Sequence, residues 1–330
     1  MIPIETLHVY SNQPLAMLAL FAAANLLMIW RLNAMEGKGF EGTVLGTLIM
    51  PYCSGFANLT FAYVMSRSAG NGGAVLENCL VNNATNLTLI LGLSAAFGAA
   101  ATTAKGKSKQ SAKKHDELHR LNRLNLMFTL IALFLFTGTL WALAKDGELN
   151  VYDGLILVGL FVFWQILHVF EILKDNIRKN RSIHWSIAID LALIAASAYL
   201  IYFSVDHLVN WMTTSGSSIF SFAKIGWFSG LLMVLPNAFL ALYYSRIGRP
   251  DIVLSSQVGD GHICIPMAIG LYSLFNPVHI PDSFQMGIYL ILGAGLVHFL
   301  FVAALGRIPR LAGGGLVAAY AAFLYQGLIG

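Results

Sequence analysis

Glu77-Asn78-Cys79-Leu80-Val81-Asn82-Asn83-Ala84-Thr85-Asn86 sets a row of carboxamides inside a long apolar run. Ser255-Ser256-Gln257-Val258-Gly259-Asp260-Gly261-His262-Ile263-Cys264 does the same with hydroxyl, carboxylate and thiol groups. In the first stretch Asn78, Asn82 and Asn86 recur every four residues; in the second Ser256, Asp260 and Cys264 do so, 178 residues later. A spacing of four places side chains on one face of a helix. Polar side chains at bilayer depth face a protein interior or a water-filled cavity. The paired stripes therefore predict one central site built from two copies of the same element.

The surrounding composition defines the solvent. Of 330 residues, 57% are hydrophobic and 11% charged, with a mean hydropathy of +0.69. Soluble domains carry about 25% charged residues, so an all-α integral membrane protein is expected. At about 20 apolar residues per span, the chain reads as ten spans, near 14–31, 41–65, 74–101, 125–144, 152–173, 185–204, 224–244, 252–275, 284–305 and 310–329. These leave no room for a separate soluble domain. No basic stretch precedes the first apolar run, so no cleaved signal peptide is expected. Cys53, Cys79 and Cys264 fall within spans without metal-type spacing and read as small buried residues.

The net charge of +4 reflects topology rather than nucleic-acid binding. A basic loop near 104–124 holds seven Lys or Arg against Asp116 and Glu117, and a second holds Lys174, Arg178, Lys179 and Arg181. With both loops cytoplasmic, seventeen of the twenty basic residues lie inside, leaving Arg67, Lys145 and Lys224 outside. The positive-inside rule then puts both termini on the non-cytoplasmic side. Asp146, Glu148 and Asp153 gather in an outer loop.

Split near residue 180, each half contains five spans, and an odd number forces the second half to cross the membrane upside down. The expected organisation is a first five-helix repeat over 1–180 and an inverted second repeat over 181–330. In secondary transporters of this plan, the substrate site lies at the midplane where the halves meet. Pro51-Tyr-Cys-Ser-Gly-Phe-Ala-Asn58 ends one apolar run, and Leu235-Pro236-Asn237 ends its counterpart. Asp153-Gly154 matches Gly313-Gly314 at an offset of about 160, because the first half has the longer basic loop. Pro51, Pro236 and Pro266 lie inside spans, where a proline removes a helix hydrogen bond. Broken helices at membrane depth are tolerated where they line a cavity.

These motifs resemble the calcium/cation antiporter superfamily, the sodium/calcium exchanger-like membrane proteins. That family carries two inverted motifs of the form Gly-Thr-Ser-x-Pro-Glu, each followed by Asp-x-Ala-x-Gly-Asn-x-x-Gly-Ser-Asn-x-x-Asn/Asp. Here Pro236-Asn237 stands where the family has Pro-Glu, and Asp251 opens the following motif with the family spacing. Asn58 falls at the first-half Glu position once one residue is inserted near Asn71–Gly73. The resemblance implies that both ion-binding glutamates are amides in this chain. The second-half hydroxyl positions read Met233 and Val234, the first half keeps Ser54, and the partner positions are Asn86 and Cys264. Asp260 stands at a family Ser position and Glu77 at a family Gly.

The candidate ion-binding set is therefore Ser54, Asn58, Glu77, Asn82, Asn86, Asn237, Asp260 and Cys264. No cofactor is expected beyond a bound monovalent or divalent cation. Two unit charges 4 Å apart interact by about 4 kcal/mol at an effective dielectric near 20, and calcium takes about 6–8 oxygens, several of them anionic. Two carboxylates replaced by amides weaken calcium binding by several factors of ten. The expectation is an exchanger-like secondary cation transporter with altered or weakened ion selectivity, working by alternating access. The alternative is a transport-inactive structural subunit of a larger membrane complex. Expected partners are the lipid bilayer, inorganic cations and, on the alternative, other membrane subunits. His262 lies two residues from both Asp260 and Cys264, hence on the opposite helix face. Together they do not read as a metal site. His168, Glu171, Asp190 and His298 read as snorkelling or helix-pairing residues. No hydrolase constellation, phosphate loop or haem-ligand pair is present, so an enzyme is not expected.

Overall fold

A computed structural model describes residues 13–36, 50–67, 71–96, 109–179, 185–214, 224–246 and 250–328. Ten helical segments follow the ten expected spans: α1 (Pro14–Glu36), α2 (Met50–Arg67), α3 (Gly72–Ala96), α4 (Lys109–Leu143), α5 (Val151–Lys179), α6 (Ile187–Thr214), α7 (Ile225–Arg246), α8 (Pro250–Phe275), α9 (Phe284–Leu305) and α10 (Arg310–Leu328). Eight of the described helices are long and apolar enough to cross a membrane. Large apolar side chains such as Leu155, Phe163, Tyr199, Leu300 and Leu311 are exposed on the outside of the bundle. In a chain of this hydropathy that surface faces lipid, and the protein is an integral, multi-pass membrane protein.

The two halves pack as copies. Helix α3 lies against the first part of α7, and α8 lies against α2. The end of α3 meets α10 as the end of α8 meets α5, and α4 covers α8 as α9 covers α3. Glycines fix two of these matched crossings. A Cβ on Gly92 would lie 2.9 Å from the Gly313 carbonyl oxygen, and one on Gly154 would lie 2.8 Å from that of Gly270. Gly92 and Gly270 are 178 residues apart, so the repeat uses glycine at the same place in both copies. Small residues let backbones approach closely where lipid supplies no hydrophobic drive between helices.

Helices α3 and α8 are the most buried spans, and each contains one π-helical turn, Thr85–Ile90 and Cys264–Ile269. The two copies reach this geometry by different chemistry. In α8, Pro266 has no N–H to continue the ladder. In α3, the Thr85 and Thr88 hydroxyls donate back to the Val81 and Ala84 carbonyls, a bond that competes with regular helix.

The expected break in α7 is real. Pro236 cannot donate to the Leu232 carbonyl, and the Val234 N–H turns to that oxygen instead, ending the segment Ile225–Met233. A new segment, Leu235–Arg246, starts with the Ala238 N–H on the Val234 carbonyl at 3.0 Å. The chain just before Met50 lies outside the described residues, and with it the place of the matching break expected at Pro51; α2 is described from Met50 to Arg67.

The basic loop also needs correcting. From Lys109 onward the stretch 104–124 is helix, so α4 runs 35 residues, about 52 Å at 1.5 Å per residue. The spanning part is Arg123–Asp146. At the other end, Glu148–Leu149 pairs antiparallel with Val278–His279, tying the α4–α5 and α8–α9 connections together on one side.

Candidate functional site

The antiparallel crossing of α3 and α8 brings repeat-related residues into contact with each other, as a two-fold axis between the helices demands. Asn82 Nδ2 donates to Asp260 Oδ2 at 3.0 Å, across a separation of 178 residues. Asn83 Oδ1 approaches Gly261, also its repeat partner, so closely that a Cβ there would lie 2.7 Å away. Asn86 Nδ2 donates to the same Asp260 oxygen at 2.9 Å and lies 3.3 Å from Asn82 Oδ1. The Cys264 thiol, repeat partner of Asn86, donates weakly to Asp260 Oδ2 at 3.6 Å and lies 3.5 Å from Asn82 Nδ2. Asn82, Asn86, Asp260 and Cys264 thus form a quartet, and all four are wholly buried.

Asp260 brings the quartet's carboxylate. Bonds from neutral donors to a charged group contribute about 1.5–3 kcal/mol each, so the two asparagines offset part of the cost of burying that charge. The flanking elements add further carboxamides. Asn237, just beyond the α7 break, accepts at its backbone carbonyl from Gln257 Nε2 at 3.2 Å, and Gln257 is one turn before Asp260. Asn58 stands one turn beyond Gly55, which packs directly on Ile263 of α8. Both asparagines are wholly buried, and neither carboxamide oxygen nor nitrogen has a hydrogen-bond partner in the protein. Asn86 Oδ1 and Gln257 Oε1 are likewise buried and unpartnered. An unsatisfied buried polar group costs about 1–3 kcal/mol. These unpartnered groups lie on α2, α3, α7 and α8, the helices packed around Asp260.

The other candidates fall elsewhere. Glu77 is half-buried and accepts from Ser283 Oγ at 2.8 Å, with Trp227 as a second donor. It joins α3 to the starts of α7 and α9, apart from the quartet. Asn78, on the same stripe, donates to Ser229 Oγ of α7 at 2.9 Å. The Ser54 side chain lies outside the described residues, as do those of His168 and Glu171. His262 faces away from Asp260 as its spacing predicted: Nε2 donates to the Thr129 carbonyl of α4 at 3.0 Å, and the ring packs against Phe136 and Trp164. Asp190 pairs with Arg31 at 3.6 Å, linking α6 to α1. His298 Nε2 donates to the Leu87 carbonyl inside the α3 π-turn at 2.7 Å. Sequence reasoning missed the role of Gln257, whose repeat partner is Cys79 and which therefore carries no repeated signal. Among the described residues no group of three His, Cys, Asp or Glu side chains could hold a metal ion. A cation here would be bound mainly by carboxamide oxygens and one carboxylate.

Among solved structures, the chain resembles the sodium-calcium exchanger NCX_Mj in several ionic conditions. Against crystals soaked with 2.5 mM Na+ and 10 mM Sr2+ the TM-score is 0.65 at 18% identity, covering 96% of this chain and 97% of that one. Against a soak with 2.5 mM Na+ and 0.1 mM Ca2+ it is 0.65 at 19% identity, covering 94% and 95%. Against crystals free of Na+ and Ca2+ it is 0.63 at 19% identity, covering 96% and 97%. At such identities the likeness establishes the fold alone. No curated protein matches by sequence. The sequence nevertheless fits, over residues 14–170 and 189–326, the family described as sodium/calcium exchanger protein, and the chain belongs to that family.

Proposed function

We propose that this protein is an exchanger-type secondary cation transporter whose central site takes monovalent cations in preference to calcium. The observation that carries the reading is Asp260, wholly buried between the halves with Asn82 and Asn86 at hydrogen-bond distance from one of its oxygens. The unpartnered carboxamides of Asn58 and Asn237 lie on the helices packed against α8. One carboxylate balances one positive charge. A divalent ion would leave an excess charge at a depth where each unit interaction is worth about 4 kcal/mol at 4 Å.

The mechanism is alternating access at the midplane. Helices α2, α3, α7 and α8 hold the ion, and the peripheral helices move across them. Asp260 supplies charge; Asn58, Asn82, Asn86 and Asn237 supply neutral oxygens, Asn82 and Asn86 by rotating their carboxamides toward the ion. Both termini lie on the non-cytoplasmic side.

The test is counterflow of labelled sodium or rubidium into vesicles containing the purified protein. Uptake driven by internal monovalent cation is expected in the wild type and lost in Asp260→Asn. Full uptake in Asp260→Asn removes this residue from the mechanism. Absence of any flux in the wild type would instead favour a structural subunit.

A further inference from the structure

Cys264 is free and wholly buried, but it does not simply fill space among hydrocarbon. Its sulfur lies 3.6 Å from Asp260 Oδ2 and 3.5 Å from Asn82 Nδ2, inside the quartet. Cys79, from the opposite half and also free, interacts with the Cys264 thiol and brings a second sulfur to the same crossing. The repeat partner of Cys264 is Asn86, so a sulfur stands where the other copy carries a carboxamide. A second observation points to a ligand. Asn86 Oδ1 is buried without a partner, while Nδ2 of the same carboxamide is already fixed on Asp260. A turn of the Asn86 carboxamide brings that unpartnered oxygen toward the quartet in place of Nδ2.

We propose that the quartet selects soft, polarisable monovalent cations, with Cys264 as the specificity-determining residue and Cys79 supporting it. This rests on the reading of the quartet as a cation site. Asp260 supplies the single negative charge, so a monovalent ion leaves the site neutral. The thiols act as neutral sulfur donors, and no proton or electron is exchanged. Sulfur ligands favour soft ions, whereas carbonyl and carboxylate oxygens favour hard ones. Sodium would find only part of the ligand set suited to it. Thallium(I), close to potassium in size but far softer, would find all of it. The preference between those two ions reads softness rather than fit.

The experiment measures stabilisation of the detergent-purified full chain by thallium nitrate and by potassium nitrate, since a ligand that binds only the folded protein raises its stability with concentration. The wild type is expected to bind thallium about tenfold more tightly than potassium, equivalent to about 1.4 kcal/mol. Cys264→Asn, which copies the other half, should lose that preference while still binding potassium. Cys264→Ser gives the same reading if the asparagine variant does not fold. Equal affinities in the wild type, or a thallium preference that survives both substitutions, would overturn the sulfur selectivity and leave the cation site standing. If neither ion stabilises the wild type, the cation site and the selectivity fall together.

Discussion

Replacing Asn82 with Leu tests whether Asp260 is held as a charge by the opposite half. Asn82 donates to Asp260 Oδ2 at 3.0 Å and lies within reach of Cys264 and Asn86. Leucine keeps the volume and removes the donor. A bond to a carboxylate contributes about 1.5–3 kcal/mol and one between neutral groups about 0.5–1.5 kcal/mol. Asn82→Leu alone should therefore destabilise by about 2–3 kcal/mol, because Asp260 keeps only Asn86 as its strong donor from α3. In an Asp260→Asn background the same change should cost about 1 kcal/mol. The difference is a coupling of about 1–2 kcal/mol, well above the scatter of about 0.3–0.5 kcal/mol seen for independent sites. The assay is unfolding in mixed detergent micelles for the wild type, both single variants and the double variant. Strict additivity would refute the idea that the carboxamides of one half stabilise the charge of the other.

Other substitutions probe the frame around the site. Gly313→Val puts a Cβ 2.6 Å from the Gly92 carbonyl oxygen, whereas the same position on Gly314 meets open space. Overpacking costs about 1–3 kcal/mol, so Gly313→Val should lower stability in the same micelles while Gly314→Val leaves it nearly unchanged. Arg31→Met strips wholly buried Asp190 of its arginine and should cost about 3–5 kcal/mol. Asp190→Asn added to it should recover much of that loss. A membrane-impermeant thiol reagent should label Asp146→Cys from outside intact cells and Lys113→Cys only after permeabilisation, and the reverse pattern would invert the topology.

Much of the frame could be read from composition and spacing. Ten apolar runs correspond to ten described helical segments, eight of them long and apolar enough to cross a bilayer. The four-residue spacing of Asn82 with Asn86 and of Asp260 with Cys264 put those residues on the facing surfaces of α3 and α8. Repeat partners met because a two-fold axis passes between those helices. Other features left no pattern to find. The matched π-turns arise from Thr85 and Thr88 in one half and Pro266 in the other, so no residue type repeats. Glu77 sits five residues before Asn82, off the Asn82–Asn86 face, and is drawn to Ser283 and Trp227 instead. The pairing of Arg31 with Asp190 joins residues from different repeats at unrelated positions, which no periodicity announces.

The most direct measurement is anomalous scattering from crystals of the protein grown in a rubidium salt. A single peak is expected within coordination distance of Asp260, among Asn58, Asn82, Asn86 and Asn237, and it should vanish in Asp260→Asn. A folded wild-type protein with no peak between α3 and α8, or with rubidium bound only elsewhere, would contradict a cation site formed where the two halves meet.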